Sequence, residues 1–178
     1  MSSQPVDRTV DVVGLYAAHR LALVRLAVLL VDDLPLAEDV VQDAFLGLHR
    51  RQAALTDPAA ALGYLRSSVV NGSRSALRRR RTVRTNARRL QPVPEDVSPA
   101  DHGVLRAADQ DEVLRAVRAL PPRQREVLVL RYWSELSERQ IATTLGISVG
   151  SVKSAASRGL DRLERLLTRP DDHGEATR

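Results

Sequence analysis

The stretch that most constrains the fold is residues 136–167, LSERQIATTLGISVGSVKSAASRGLDRLERLL, because it contains two helix starts on either side of one glycine. In the first helix Ser137 can cap the free backbone amides, and Gln140, three residues later, can bond back to the cap residue. Ser148 repeats the cap for the second helix. Gly146 suits the left-handed conformation that ends a helix, since it has no side chain to clash there. The pattern predicts two helices joined by a turn of three or four residues.

The apolar positions of this stretch predict that the two helices pack together as a helix-turn-helix. The shared seam consists of Ile141, Leu145, Ile147, Val152 and Ala155. The residues turned away from the seam, which would face a DNA major groove, are Ser148, Val149, Lys153, Ser154, Ser157 and Arg158. A solvated helical hairpin is the alternative, but two capped helices at these intervals favour DNA binding.

Composition excludes several classes of protein. The 178 residues include no cysteine, so neither a disulfide framework nor a thiolate metal site is expected. The longest strongly apolar stretch, Leu21–Val31, is interrupted by Arg25 and is too short to span a bilayer, and the N-terminus lacks a secretion signal. We therefore expect a cytoplasmic protein without membrane insertion. No histidine has an evident nucleophile or carboxylate partner and no phosphate-cradling loop appears, so we expect no enzyme activity, no cofactor and no metal.

The first half of the chain predicts three helices. The first runs from Val10 to about Val31, and the second runs from Leu36 to Arg51. The inward positions of the second helix are Val40, Val41, Ala44, Phe45 and Leu48, and its outer positions are Glu38, Asp39, Gln42 and Asp43. Asp57 and Pro58 provide a cap and a first helical residue for the third helix.

The third helix leads into a run of arginines. From Arg78 to Arg89 there are seven arginines and no acid, and residues 1–90 as a whole carry 14 basic and 8 acidic side chains. Arginine can bond phosphate in a bidentate manner, so the run suits a nucleic-acid backbone. A solvated arginine-rich tail is the alternative.

The chain is predicted to be all-α, with two small helical domains at residues 10–90 and 104–168. The linker at residues 91–103 contains three prolines, a glycine and several acids. The second domain should open with a helix from about Val104 to Leu120 and continue with one over PRQREVLVLRYW. We expect its aromatic pair, Tyr132 and Trp133, to lie in the core and not to form a base-stacking platform.

Taken in order, the segments over about residues 10–168 resemble the extracytoplasmic-function (group 4) bacterial sigma factors of the sigma-E type. LAEDVVQDAFLGLHRR resembles the family's core-binding helix, and YLRSSVVNGSRSALRRRR resembles its minus-ten-recognising and melting region. LPPRQREVLVLRYWSELSERQIATTLGISVGSVKSAASRGLDRL resembles the domain that recognises the minus-thirty-five element. This last segment is the most specific, because it aligns over more than forty residues.

The resemblance implies a sigma factor whose partners are core RNA polymerase and promoter DNA. The implied polymerase contacts are Asp39, Gln42 and Asp43. The implied minus-ten contacts are Tyr64, Asn71, Arg74 and Arg78, and the loop at residues 51–57 would receive a flipped base. The implied minus-thirty-five contacts include Lys153, Ser154, Ser157 and Arg158 on the second helix of the helix-turn-helix.

Two departures from the family add expectations. Ala155, Ala156 and Ser157 lie where bulkier base-contacting residues could sit, so we expect few base contacts and a readout that depends on DNA shape. Tyr64 is the one aromatic of the melting region, so melting should need a good minus-ten match.

An anti-sigma factor is a common further partner in the family. Two other functions stay open, namely a helix-turn-helix regulator acting as a dimer and an RNA-binding protein using the arginine run.

Overall fold

The computed structural model describes residues 10–51, 57–90 and 108–168, and these residues form seven α-helices. The helices are α1 Val12–Val31, α2 Leu34–Arg51, α3 Pro58–Leu90, α4 Ala108–Arg118, α5 Pro122–Tyr132, α6 Glu138–Leu145 and α7 Val149–Leu167. The predicted all-α class is confirmed. The chain divides into two units, Met1–Pro99 and Ala100–Arg178. The predicted linker, residues 91–103, lies outside the described residues.

The first unit packs α1, α2 and α3 against one another. The Asp11 carboxylate caps α1 by accepting from the Gly14 amide at 2.9 Å, and Asp32 ends the helix in the left-handed conformation at φ 56°. Asp33 then accepts from the Leu36 amide at 2.7 Å. Because this bond caps the next helix, α2 begins at Leu34, two residues before the predicted start. All five predicted inward residues of α2 are buried.

Helix α3 is one continuous helix of 33 residues that begins where it was predicted to begin. The Asp57 carboxylate accepts from the amides of Ala59 and Ala60 at 3.0 and 3.3 Å. The N-terminal part of the helix is packed, and its fully buried apolar residues are Ala61, Leu65, Val69 and Val70. Beyond Ala76 the described side chains are exposed, so the second half of α3 presents its surface to solvent.

The second unit packs α4, α5 and α6 around α7, which contacts all three. At Gly159 α7 passes so close to α5 that a β-carbon there would lie 2.9 Å from the Leu128 Cδ1 atom. The largest fully buried side chains of this unit are Val117, Leu120, Val127, Leu128, Val129, Leu130 and Ile141. The part of the first predicted helix before residue 108 lies outside the described residues.

The prediction that Tyr132 and Trp133 lie in the core is wrong. Their relative exposures are 53% and 47%. Four residues earlier in α5, Val127–Leu130, already fill the core, and α5 ends at Tyr132. The Leu136 amide then donates to the Leu130 carbonyl at 3.1 Å, which folds the chain back so that Leu136 becomes buried instead.

Helix α1, Val12–Val31, is longer than the apolar stretch Leu21–Val31, which is too short to span a bilayer. Among the described residues it is the one helix long and apolar enough to cross a membrane by length and composition, with 20 residues and a mean hydropathy of 1.6 over an 18-residue window. The buried residues of its second half are Leu23, Val24, Leu26, Ala27, Leu29, Leu30 and Val31. These residues pack against α2 and α3. A helix that is buried in a core passes the same test of length and composition as a membrane span, so this packing accounts for the apolar second half of α1.

Candidate nucleic-acid interface

The start of α6 has the predicted reciprocal cap. The Gln140 backbone amide donates to the Ser137 hydroxyl at 3.3 Å, and the Ser137 backbone amide donates to the Gln140 side-chain oxygen at 2.9 Å. Each bond satisfies a backbone donor that the first helical turn leaves without a partner. The cap therefore fixes where α6 begins and the direction from which the chain enters it.

The turn between α6 and α7 comprises three residues, Gly146 to Ser148, as predicted. Gly146 is left-handed at φ 64°, and its amide donates to carbonyls of the last turn of α6. The Ser148 hydroxyl then accepts from the Ser151 amide at 3.1 Å and caps α7. Local bonds on both sides of the turn thus set the angle at which α7 leaves α6.

The predicted seam is present between the two helices. Its buried members are Ile141, Leu145, Val152 and Ala155, and Ile147 is half-buried. Ala156 is also buried, at 3% exposure, so the expectation that Ala155 and Ala156 occupy base-contacting positions is wrong. Small side chains fit there because this side of α7 packs against three other helices.

The outward face of α7 carries the predicted polar and basic groups. Its exposed members are Ser148, Lys153, Ser154, Ser157 and Arg158, and Val149 is half-buried. The Lys153 ammonium lies 3.8 Å from the Glu138 carboxylate, and the same carboxylate lies 3.5 Å from the Arg131 guanidinium. The sequence does not indicate the contacts of Glu138, since no local pattern specifies which side chains meet across the turn.

The four residues implied for the minus-ten element lie on one face of α3. Tyr64, Asn71, Arg74 and Arg78 are separated by seven, three and four residues, and these intervals repeat the helical period. Arg74 donates to the Asn71 side-chain oxygen at 3.1 Å. The Arg51 guanidinium lies 5.6 Å from the centre of the Tyr64 ring, a cation–π distance. Residues 52–56 of the implied base-binding loop lie outside the described residues.

The arginines of α3 differ in their surroundings. Arg78, Arg79, Arg80 and Arg81 are exposed. Arg80 bonds the Asp33 carboxylate at 2.7 Å and thereby ties α3 to the turn between α1 and α2. Upstream, burial lowers the pKa of the Arg66 guanidinium. Of the four consecutive arginines, Arg80 has an ion pair with Asp33. The sequence did not indicate this pair, because its partner lies 47 positions away.

The acidic outer face of α2 adjoins the α3 face across a cleft. Asp39, Gln42 and Asp43 are exposed, as predicted. They line a cleft of about 480 Å³ between the two helices, whose opposite wall includes Tyr64, Ser68 and Arg79. The side chains implied for polymerase and those implied for DNA thus lie on adjacent surfaces of the same unit.

Comparison with known proteins matches each unit to a family. The family described as Sigma-70 region 2 matches residues 15–83, and the family described as Sigma-70, region 4 matches residues 110–163. The RNA polymerase sigma-E factor of Streptomyces coelicolor is 35% identical over 153 residues, covering 84% of this chain and 82% of the relative. The ECF RNA polymerase sigma factor SigM of Mycobacterium tuberculosis is 34% identical over 153 residues, covering 86% and 75%.

Two solved structures are also similar. The sigma factor RpoE in complex with the anti-sigma factor NepR from Bartonella quintana matches with a TM-score of 0.71 and 26% identity, covering 88% of this chain and 96% of that one. CnrH in complex with the cytosolic domain of CnrY matches with a TM-score of 0.62, covering 88% and 86%. At 24% identity the second likeness concerns the fold alone.

Proposed function

We propose a division of labour between the two units of this chain, which belongs to the extracytoplasmic-function (ECF) family of RNA polymerase sigma factors. As a sigma factor it binds core RNA polymerase and directs transcription initiation, and it catalyses no reaction itself. What we add is the assignment of promoter and polymerase contacts to particular side chains. The single observation that supports this assignment most strongly is the exposed polar and basic face of α7 above a buried seam.

In this proposal α7 contacts the minus-thirty-five element. Lys153 and Arg158 can donate to guanine or phosphate, and Ser154 and Ser157 can bond base edges at close range because their side chains are short. A recognition helix held by local caps and a buried seam presents these groups in a fixed arrangement. That arrangement favours discrimination among sequences over simple charge attraction.

The α3 face, in turn, contacts the minus-ten element. Tyr64 offers an aromatic surface for an unpaired base. Arg74 and Arg78 lie further along the same helix face, where they can contact the phosphate backbone of the DNA. The Arg51 guanidinium above the Tyr64 ring can extend this surface, because guanidinium groups also stack on bases. Capture of unpaired bases then couples recognition of the element to its melting.

The outer face of α2 contacts the core polymerase. Asp39, Gln42 and Asp43 are exposed, and they provide carboxylate and amide groups suited to a basic partner surface. Each DNA-contacting face buries little surface alone, so each should bind weakly until the polymerase holds both at a set spacing. We place this action in the cytoplasm. An anti-sigma factor is a candidate regulator, because the solved relative RpoE is held by one.

The test combines Lys153→Ala with Arg158→Ala in the full chain. Transcription from a promoter of unaltered sequence should fall, because both cations of the α7 face are lost, while affinity for core polymerase stays near the unaltered value. Transcription is measured by run-off assay and core binding by titration. The matched control combines Arg25→Ala with Arg165→Ala, which removes two exposed charges elsewhere. An equal loss of core binding, or an equal loss in the control, would contradict the assignment.

A further inference from the structure

A carboxylate at the edge of the helix-turn-helix forms an ion pair with one of the cations on the proposed DNA-facing side. Glu138, the first residue of α6, places Oε1 3.5 Å from Arg131 and Oε2 3.8 Å from Lys153. The three side chains come from α5, α6 and α7. We propose that Glu138 is a specificity-determining positioning residue, which acts through Lys153 to weaken binding to unmatched DNA more than binding to the matched promoter element.

The two cations on Glu138 have different roles. The Arg131 side chain is 40% exposed and belongs to α5, outside the proposed DNA-facing side of α7, so it holds the carboxylate in place. The Lys153 side chain is 66% exposed and lies on the face of α7 that would meet DNA. Within the described residues Arg158 has no ion pair. Of the two cations on that face, Lys153 is therefore the one whose charge is neutralised before DNA arrives.

This neutralisation affects matched and unmatched DNA differently. Binding to DNA of arbitrary sequence depends on phosphate neutralisation by free cations, and a phosphate must compete with Glu138 for the charge of Lys153. An ammonium has three donors, so at a matched site Lys153 can keep Glu138 and still donate to a base acceptor such as guanine O6 or N7. The carboxylate thus penalises phosphate contact more than base contact.

The decisive variant is Glu138→Gln, which keeps the shape of the side chain and removes its charge. Affinity of the full chain for a mixed-sequence DNA duplex should rise about two- to fivefold, the range that exposed ion pairs give. The dependence on salt should steepen by up to about one ion, because one more cation becomes free for phosphate. The preference of the holoenzyme for promoter over mixed-sequence DNA should fall correspondingly.

A purely structural role for Glu138 predicts the opposite sign. Glu138 lies in the first turn of α6, where a carboxylate favours the helix dipole, so the glutamine variant should melt at a slightly lower temperature. A residue that only supported the fold would then weaken DNA binding when replaced. Asp161→Asn on α7 is the matched control, since it makes the same change in net charge at an exposed site away from Lys153.

A double-mutant cycle isolates the coupling to Lys153. In a Lys153→Gln background, Glu138→Gln should leave DNA affinity unchanged, because the cation that it releases is absent. The inference is overturned if Glu138→Gln leaves affinity and salt dependence unchanged, if Asp161→Asn raises affinity equally, or if the rise persists without Lys153.

This inference rests on the proposed role of α7, and the two can fail separately. If holoenzyme formed with the unaltered chain initiates at no defined start, the proposed function fails. If it initiates normally while the glutamine variant binds mixed-sequence DNA as the unaltered chain does, only the role of Glu138 fails. The affinity and salt dependence on mixed-sequence DNA decide the role of Glu138 in either case.

Discussion

The two faces that we propose for DNA contact, one in each unit, carry positive charge in contrasting ways. On α3 Arg78, Arg79 and Arg81 are exposed with no acid beside them in the sequence, whereas on α7 Lys153 is paired with Glu138. The surface of the first unit suits attraction to any phosphate backbone, and that of the second suits discrimination among sequences. A protein with two DNA-contacting surfaces can therefore place affinity on one and selectivity on the other.

Packing explains why the surfaces differ. The second half of α3 is exposed, so arginine is tolerated there, and it occupies seven of the 14 positions from Leu77 to Leu90. Helix α7 packs one side against α4, α5 and α6, and Ala155, Ala156 and Gly159 are buried there. On the face of α7 proposed to meet DNA the cations are Lys153 and Arg158, so the pairing of Lys153 affects one of only two positive charges there.

The largest expected effect comes from removing charge on α3. Arg78→Gln, Arg79→Gln and Arg81→Gln together should weaken binding to mixed-sequence DNA by roughly 10²-fold or more and reduce the salt slope by about 2 to 3. Fluorescence titration at several salt concentrations measures both. Arg80→Gln is the control, because Arg80 is paired with Asp33 and should contribute less per charge. An equal loss per charge in that control would contradict the contrast between free and paired cations.

A smaller effect tests whether the two units fold separately. Ile141→Ala should destabilise the second unit by about 2–5 kcal/mol, because it leaves a cavity in a fully buried seam. Trp133, the single tryptophan, reports on that unit by fluorescence during chemical denaturation. Leu65→Ala, at an equally buried site on α3, should leave the Trp133 transition in place. If both variants shift it alike, the units are coupled.

The smallest expected effect concerns the two non-glycine residues with positive φ among those described, one in each unit. Glu135 has φ 52° and Asp32 has φ 56°. Glu135→Gly should stabilise the second unit by about 1 kcal/mol, because a glutamate tolerates this conformation poorly. Asp32→Gly should gain less, since aspartate adopts it more readily. Denaturation midpoints measure both, and a larger gain at Asp32 would contradict this explanation.

Sequence patterns predicted those features that local interactions determine. The Ser137 and Ser148 caps, the left-handed Gly146 and the inward face of α2 all follow from residues within a few positions of one another. The helix that follows Asp57 was predicted for the same reason. A capping residue or an apolar period has the same meaning wherever the helix later packs.

The features that sequence patterns missed depend on tertiary contacts. The exposure of Tyr132 and Trp133 follows from the turn that places Leu136 in the core. The burial of Ala156 follows from the close approach of α7 to its neighbours. The pair of Arg80 with Asp33 and the contacts of Glu138 join residues on different helices. No short-range pattern specifies which of several exposed charges will meet.

The central claim is that two helical units, each a weak DNA binder alone, recognise a promoter once the polymerase holds both. The most direct measurement compares promoter binding by the full chain alone and with core polymerase, on a fragment recovered by run-off transcription from a genomic library. The account predicts weak, non-selective binding by the free chain and selective binding with initiation at a defined start by the holoenzyme. Tight, selective binding by the free chain, with no initiation when the polymerase is added, would contradict it.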